Sequence, residues 1–188
     1  MRVGFAAINK GSTTVDGITT KVVKNGVRQF TGTDRTNFFT NLYDHDIPAA
    51  GTPLREATIS VGEYFKRTDD QGPWGQTPGS TGGTQHECRQ NFNILMTDGY
   101  WTEGSISGMD NSDNQSGSTI TNDSSPATPA SYTYSPSSPY SDAYSDTLAD
   151  VAMHYWKNDL RTDMLNKVPT NAHDPAFWQH LVNFTVGL

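Results

Sequence analysis

A chain of 188 residues is long enough for one domain with a real core. Thirteen Lys and Arg against 20 Asp and Glu give a net charge of −7, which speaks against the clustered basic surface that nucleic acids and anionic membranes require. Only 34% of the residues are hydrophobic, and no apolar run approaches the roughly 20 residues needed to span a bilayer. Ser, Thr, Asn and Gly abound, a style frequent in exported surface proteins. The first ten residues, MRVGFAAINK, carry no signal-peptide pattern.

In chain order, residues 2–8 read as a short strand of the buried kind. Residues 9–17 are turn chemistry, and 18–30 hold one or two further strands, with Lys24-Asn25-Gly26 as a hairpin signal. The stretch around Phe38, Phe39, Leu42 and Tyr43 has the spacing of one helix face, with Thr33 or Asp34 as N-cap. The best helical pattern is 51–67, where Leu54, Ala57, Val61, Tyr64 and Phe65 form one stripe. Thr52 is placed to cap it, and Pro53 sits at the first helical position.

Residues 68–85 are a loop by composition. "NFNILMTDGYW" (91–101) follows, a buried strand running into Thr97-Asp98-Gly99. Residues 102–145 are dense in Ser, Thr, Pro, Asn, Asp and Tyr, and predict a long irregular excursion, partly disordered or pinned by a partner or an ion. Order resumes with a helix over 145–160, carrying Leu148, Val151, Ala152 and Tyr155 on one face and capped by Ser145 or Asp146. A short helical or turn segment at 174–180 leads to a last strand at 181–188. Helices alternating with buried strands predict the α/β class with a mostly parallel sheet. Ligands of such sheets bind beyond the carboxyl ends of the strands.

That rule singles out Asp98, at the carboxyl end of its strand, and Thr52, at the head of a helix. Each also has an ordinary explanation: Asp98-Gly99 as a turn, Thr52-Pro53 as a cap with a first-turn proline. Hydroxyl and carboxylate oxygens on neighbouring loops are what a hard cation takes. Asp110, Ser112, Asp113 and Asn114 resemble a calcium loop in composition. Gln115 stands where an EF-hand loop needs glycine, however, and no glutamate follows at the twelfth position. "STGGT" (80–84) lacks the lysine of a phosphate loop. Cys88 is the only cysteine, so neither an intrachain disulfide nor a cysteine-based zinc site forms within the chain. His86 and Cys88, two apart, lack an evident orienting partner for a hydrolase dyad, and no G-x-S-x-G elbow is present. His154, His173 and His180 show no metal-ligand spacing.

"RVGFAAIN", "GTPLREA", "CRQNFNILMTDGYW", "LADVAMHYWKNDLR" and "DPAFWQHLVNFTVGL" occur in this order. Together they resemble the von Willebrand factor A-like domain of PilY-type proteins, the tip-associated adhesins of bacterial type IV pili. The resemblance covers the chain apart from 102–145. It implies a doubly wound α/β domain over 1–188, with 102–145 as a Ser/Thr/Pro-rich insertion. It also implies a metal-ion-dependent adhesion site, made of D-x-S-x-S after the first strand, a threonine and an aspartate. By motif the threonine is Thr52 and the aspartate Asp98, and the ion would be Mg²⁺ or Ca²⁺ in the parent domain.

No strand followed by D-x-S-x-S occurs here; Asp110-x-Ser112-x-Asn114, inside the insertion, comes nearest. The resemblance therefore predicts an internal, truncated piece without the first and last strands. Its metal binding is expected to be weak or absent, and its open strand edges are expected to close on each other or exchange strands in an oligomer. The implied function is non-catalytic: adhesion and pilus biogenesis at the cell surface or pilus tip of a Gram-negative bacterium. The implied partners are minor pilins of the tip and a host or abiotic surface ligand. A bracing domain of the pilus tip with a vestigial metal site is the alternative.

Overall fold

The computed structural model describes residues 1–9 and 11–188, which divide into two compact units. Unit one comprises Met1–His86 with Tyr100–Glu103, and unit two comprises Glu87–Gly99 with Gly104–Leu188. The class is mixed α/β. Among the described residues the strands form four two-stranded ladders, three antiparallel and one parallel.

Unit one begins with β1 (Arg2–Ala6), then a hairpin of β2 (Thr13–Val15) and β3 (Ile18–Thr20), then β4 (Val23–Gln29), which returns antiparallel to β1. The hairpin turn is Asp16-Gly17, with φ of 51° and 79°, the paired positive values that a two-residue hairpin needs. Lys24-Asn25-Gly26, expected as a turn, lies inside β4, where the register against β1 shifts on both sides of Phe5. Gly26 has a different reason to be glycine. A Cβ there would run into the Asp16 carboxylate and stand 3.1 Å from the Tyr64 hydroxyl. Its absence lets the hairpin turn and a helix close over β4.

Helix α1 (Gly32–Tyr43) starts earlier than expected, with Thr31 as an N-cap that makes no side-chain bond, so neither Thr33 nor Asp34 caps it. Its Phe38 and Phe39 join Phe5 and Phe30 in edge-on and tilted ring contacts at 5.2–6.1 Å, within the range in which aromatic pairs attract. Helix α2 (Leu54–Phe65) buries Leu54, Ala57, Thr58, Gly62, Tyr64 and Phe65, close to the stripe read from the sequence. The Tyr64 hydroxyl accepts a hydrogen bond from the Val27 amide at 2.9 Å. Burial pushes its pKa up to about 12. Trp74, in the long loop that follows, is fully buried and donates to the Phe65 carbonyl at 2.7 Å.

Unit two contains β5 (Phe92–Thr97) and β8 (Val182–Gly187), parallel and in continuous register from Phe92↔Val182 to Thr97↔Gly187. Between them run a 3₁₀ turn (Ser112–Asn114), a small ladder of β6 (Ile120–Thr121) with β7 (Ser131–Tyr132), and α3 (Leu148–Lys157). The core gathers Ile120, Ala176, Phe177 and Trp178, flanked by Tyr132 and Trp156. Ile120 and Tyr132 come from the stretch expected to be an excursion. Its apolar residues are few but well spaced, and Ile106, Met109, Ile120 and Tyr134 are all buried. Residues 174–180 form no helix; Ala176–Leu181 run as buried irregular chain.

β5 departs from expectation in one respect. Phe92, Ile94 and Met96 are 53, 64 and 58% exposed, and their register neighbours Phe184 and Val186 are also exposed. In-register residues of a parallel pair share a face, so one side of this ladder is an apolar surface open to solvent. Parallel strands ordinarily have both faces covered.

Candidate functional site

Asp98 follows β5 directly and is exposed. The turn reading of its neighbour is correct: Gly99 has φ of 88°, and its amide donates to the Thr97 hydroxyl at 3.1 Å. Thr97 thus shapes the turn, and Asp98 is carried at the carboxyl end of a parallel strand.

Thr52 lies in unit one, so the two candidate ligands belong to different units. It is half-buried and is not the cap of α2. The N-cap residue is Pro53, which places Thr52 one position too early for its hydroxyl to reach the free amides of the first turn. Its carbonyl accepts from the Leu54 amide at 2.9 Å and from the Thr102 amide at 3.1 Å.

The first-turn amides go instead to Glu103. Its two carboxylate oxygens accept from the Arg55 and Glu56 amides at 3.0 and 3.1 Å, and one also accepts from Arg55 Nε at 2.6 Å. The Glu103 side chain is only 2% exposed. The Trp101 ring lies against the Arg55 guanidinium, with 4.5 Å from the guanidinium carbon to the ring centre. A carboxylate at a helix N-terminus is favoured by the free amides and by the helix dipole. Residues 101–103, just after the Asp98-Gly99 turn, therefore fasten the loop that carries Thr52.

In unit two, α3 begins with a complete capping box. The Thr147 hydroxyl accepts from the Asp150 amide at 3.1 Å, and Asp150 accepts from the Thr147 amide at 2.9 Å. The expected caps were Ser145 and Asp146. Asp146 instead takes a positive φ of 57° and exchanges bonds with Asp110: its amide donates to the Asp110 carbonyl at 2.7 Å, and its carboxylate accepts the Asp110 amide at 3.0 Å.

The calcium-like stretch is held by the protein's own groups. Asn111 caps the 3₁₀ turn by accepting from the Asn114 amide at 3.1 Å. Ser112 donates to the Met109 carbonyl at 2.6 Å. Asp113, 1% exposed, donates its amide to Asp150 at 3.2 Å and accepts the Asp142 amide at 3.3 Å. Burial pushes the Asp113 carboxyl up; the Asp142 amide pulls it down, and the charges of Asp150 and Asp142 push it up again.

A buried polar group lies under the aromatic core. His180 Nε2 stands 3.0 Å from an Asp174 oxygen, its Nδ1 2.7 Å from the Trp178 carbonyl, and Trp156 Nε1 donates to Asp174 at 3.1 Å. Burial pushes the Asp174 carboxyl up, but the bonds from His180 and Trp156 and the His180 charge outweigh it and hold it below the ordinary carboxylate value. Cys88 is exposed and lies in unit two, whereas His86 lies in unit one.

Among the described residues no group of three or more His, Cys, Asp and Glu is arranged to hold a metal ion. Thr52 and Asp98 supply two oxygens, where Mg²⁺ takes six and Ca²⁺ six to eight. These residues by themselves do not make the implied metal site. Sequence reading missed Glu103 and Lys157. Glu103 acts 48 residues from the helix it caps, beyond any local pattern. Lys157 had a signal, a basic residue in the last turn of a helix.

The chain is 36% identical to the type IV pilus biogenesis factor PilY1 of Pseudomonas aeruginosa strain PAK, over an alignment of 203 residues that covers 100% of this chain and 16% of that protein. To PilY1 of strain PAO1 it is 38% identical over 180 residues, 87% of this chain and 15% of that protein. PilY1 of strain UCBPP-PA14 is 32% identical over 179 residues. The chain thus spans about one sixth of the length of the curated relatives it matches. No family model and no solved structure matches it. Among the described residues no helix is long and apolar enough to cross a membrane.

Proposed function

We propose that this chain is a non-catalytic binding module of a PilY1-like protein that acts in type IV pilus biogenesis and surface attachment. The observation that carries this reading is the likeness to PilY1 along the whole chain, at 36% identity. The geometry supports a doubly wound sheet of the von Willebrand factor A kind, completed by other parts of the longer polypeptide. β5 and β8 are parallel, an arrangement that needs cover on both faces, and one face is an unburied row of Phe92, Ile94, Met96, Phe184 and Val186. A further strand along β5 would also bring oxygens beside Asp98, the step that turns a strand-end carboxylate into part of a metal-ion-dependent adhesion site. The family resemblance assigns Asp98 and Thr52 each a ligand role in such a site, with minor pilins and a surface ligand as partners at the pilus tip. In isolation the same open edge is where strand exchange between copies would occur.

The second reading is a bracing domain whose metal site is vestigial. The firm fastening of α2 by Glu103, independent of any ion, favours it.

The discriminating experiment places Asp98→Ala and Thr52→Ala in the full-length protein of a piliated bacterium, and measures pilus number and surface attachment with and without chelator. The adhesion reading expects normal pilus number with attachment lost to the same degree by either substitution or by chelation. Attachment that survives both substitutions and the chelator would leave the bracing reading in its place. Normal piliation and attachment after removal of the whole segment would defeat both.

A further inference from the structure

The loop 109–118 has the composition of a cation-binding loop, and the structure shows what lies at its centre. Lys157, the last residue of α3, is only 7% exposed. Its Nζ donates to the Ser112 carbonyl at 2.6 Å and to the Gln115 carbonyl at 2.9 Å. The face of Tyr134 lies 5.8 Å away, and the Tyr134 hydroxyl donates to the Asp113 carbonyl at 2.6 Å. The Gly117 amide donates to the Tyr134 backbone carbonyl at 3.0 Å, so Tyr134 is bound to the loop once by its ring hydroxyl and once by its backbone. Two backbone carbonyls hold the cationic head directly, and the charges of two buried carboxylates, Asp113 and Asp150, act on it from farther away. A depression of about 240 Å³, lined by Asp110, Ser112, Gln115, His154 and Lys157 among others, opens beside it.

We propose that the Lys157 ammonium is the resident cation of this loop, doing from within the chain what a divalent ion does in a calcium-binding loop. The loop is therefore ordered without metal, and its order depends on a helix-borne side chain. The chemistry matches in part: a hard cation takes carbonyl oxygens, and an ammonium has three donors, two of which go to loop carbonyls here. Asp150 gives the arrangement its rigidity, because it completes the capping box of α3 and also receives the Asp113 amide. One helix thus supplies the cation from its last turn and an anchoring carboxylate from its first. Burial lowers the Lys157 pKa, and Asp113 and Asp150 pull it back up without cancelling the effect.

The inference is independent of the adhesion reading, since it concerns neither Thr52 nor Asp98. Hydrogen–deuterium exchange of the 188-residue chain tests it. In the unaltered chain, exchange over 108–118 is expected to be the same in chelator and in millimolar Ca²⁺. Lys157→Met should raise exchange over 108–118 by roughly tenfold or more, the equivalent of about 1.4 kcal/mol of local stability, with the Trp178 core unchanged. Faster loop exchange in chelator, or slower exchange with Ca²⁺, would overturn the proposal and make the loop a metal site. Lys157→Met exchanging at the parental rate would overturn it as well. If that variant fails to fold, the chelator and Ca²⁺ comparison on the unaltered chain still decides.

Discussion

Helices α2 and α3 both begin shortly after a threonine, and they are capped in opposite ways. At α3 the cap is local: Thr147 and Asp150, three residues apart, satisfy each other's backbone amides. At α2 the threonine is displaced by a proline, and the cap is a glutamate 48 residues downstream of Arg55. The physical requirement is the same in both, an acceptor for first-turn amides that have no partner within the helix. The consequences differ. A local cap stabilises its own helix, whereas a distant one also ties down the segment that carries it. Glu103 therefore fixes two things at once, the start of α2 and the course of residues 100–103.

The largest test of this contrast is Asp150→Ala. The substitution removes the capping box, frees the Asp113 amide and takes away a buried carboxylate from beside Lys157. Losing a buried carboxylate that accepts from two amides and a hydroxyl, with the buried Asp113 amide left unpaired, should cost about 3–5 kcal/mol, and denaturant titration of unit two through its tryptophans would register it. A loss below about 1 kcal/mol would mean that Asp150 is only a cap.

Next in size is Glu103→Ala. Losing a charge-assisted cap with its ion pair to Arg55 should cost about 2–3 kcal/mol. The effect should appear as faster amide exchange both in the first turn of α2 and at Thr102, whose amide bonds to Thr52. Exchange that rises in α2 alone would break the idea that the distant cap also secures its own segment. A double-mutant cycle with Arg55→Ala should return a coupling energy of at least about 0.5 kcal/mol.

The same contrast explains what could be read in advance. The stripes of α2 and α3, the strand ending at Thr97 and the turn at Asp98-Gly99 rest on periodicity and turn chemistry, which act over a few residues. Caps and fillers that come from far away leave no such trace. Gly26 looked like a hairpin glycine because glycine after asparagine favours that turn; its actual reason is the approach of Asp16 and Tyr64, which only the tertiary structure reveals. Residues 102–145 looked unable to fold because their average composition is polar. Ile120, Tyr132 and Tyr134 nevertheless suffice when Trp156 and Trp178 supply the rest of the core. Composition averages conceal that kind of cooperation. Asp98 and Thr52 stand out by their places at a strand end and a helix head, but only motif resemblance gives them ligand roles, since a threonine before a proline and an aspartate before a glycine have local explanations of their own.

The smallest predicted effect separates architecture from function. Thr147→Ala should cost about 1 kcal/mol, the usual loss for an N-cap hydroxyl. Thr52→Ala should lie within about 0.5 kcal/mol of zero, because the bonds that Thr52 makes to Leu54 and Thr102 come from its carbonyl, which alanine keeps. Thermal denaturation of the two variants side by side measures the difference. Equal losses would show that Thr52 caps α2 in solution and that the two helix starts are alike after all. A near-zero cost at Thr52 has a further use. An attachment defect caused by Thr52→Ala in the full-length protein could then be assigned to its hydroxyl as a ligand, free of any contribution from a weakened helix.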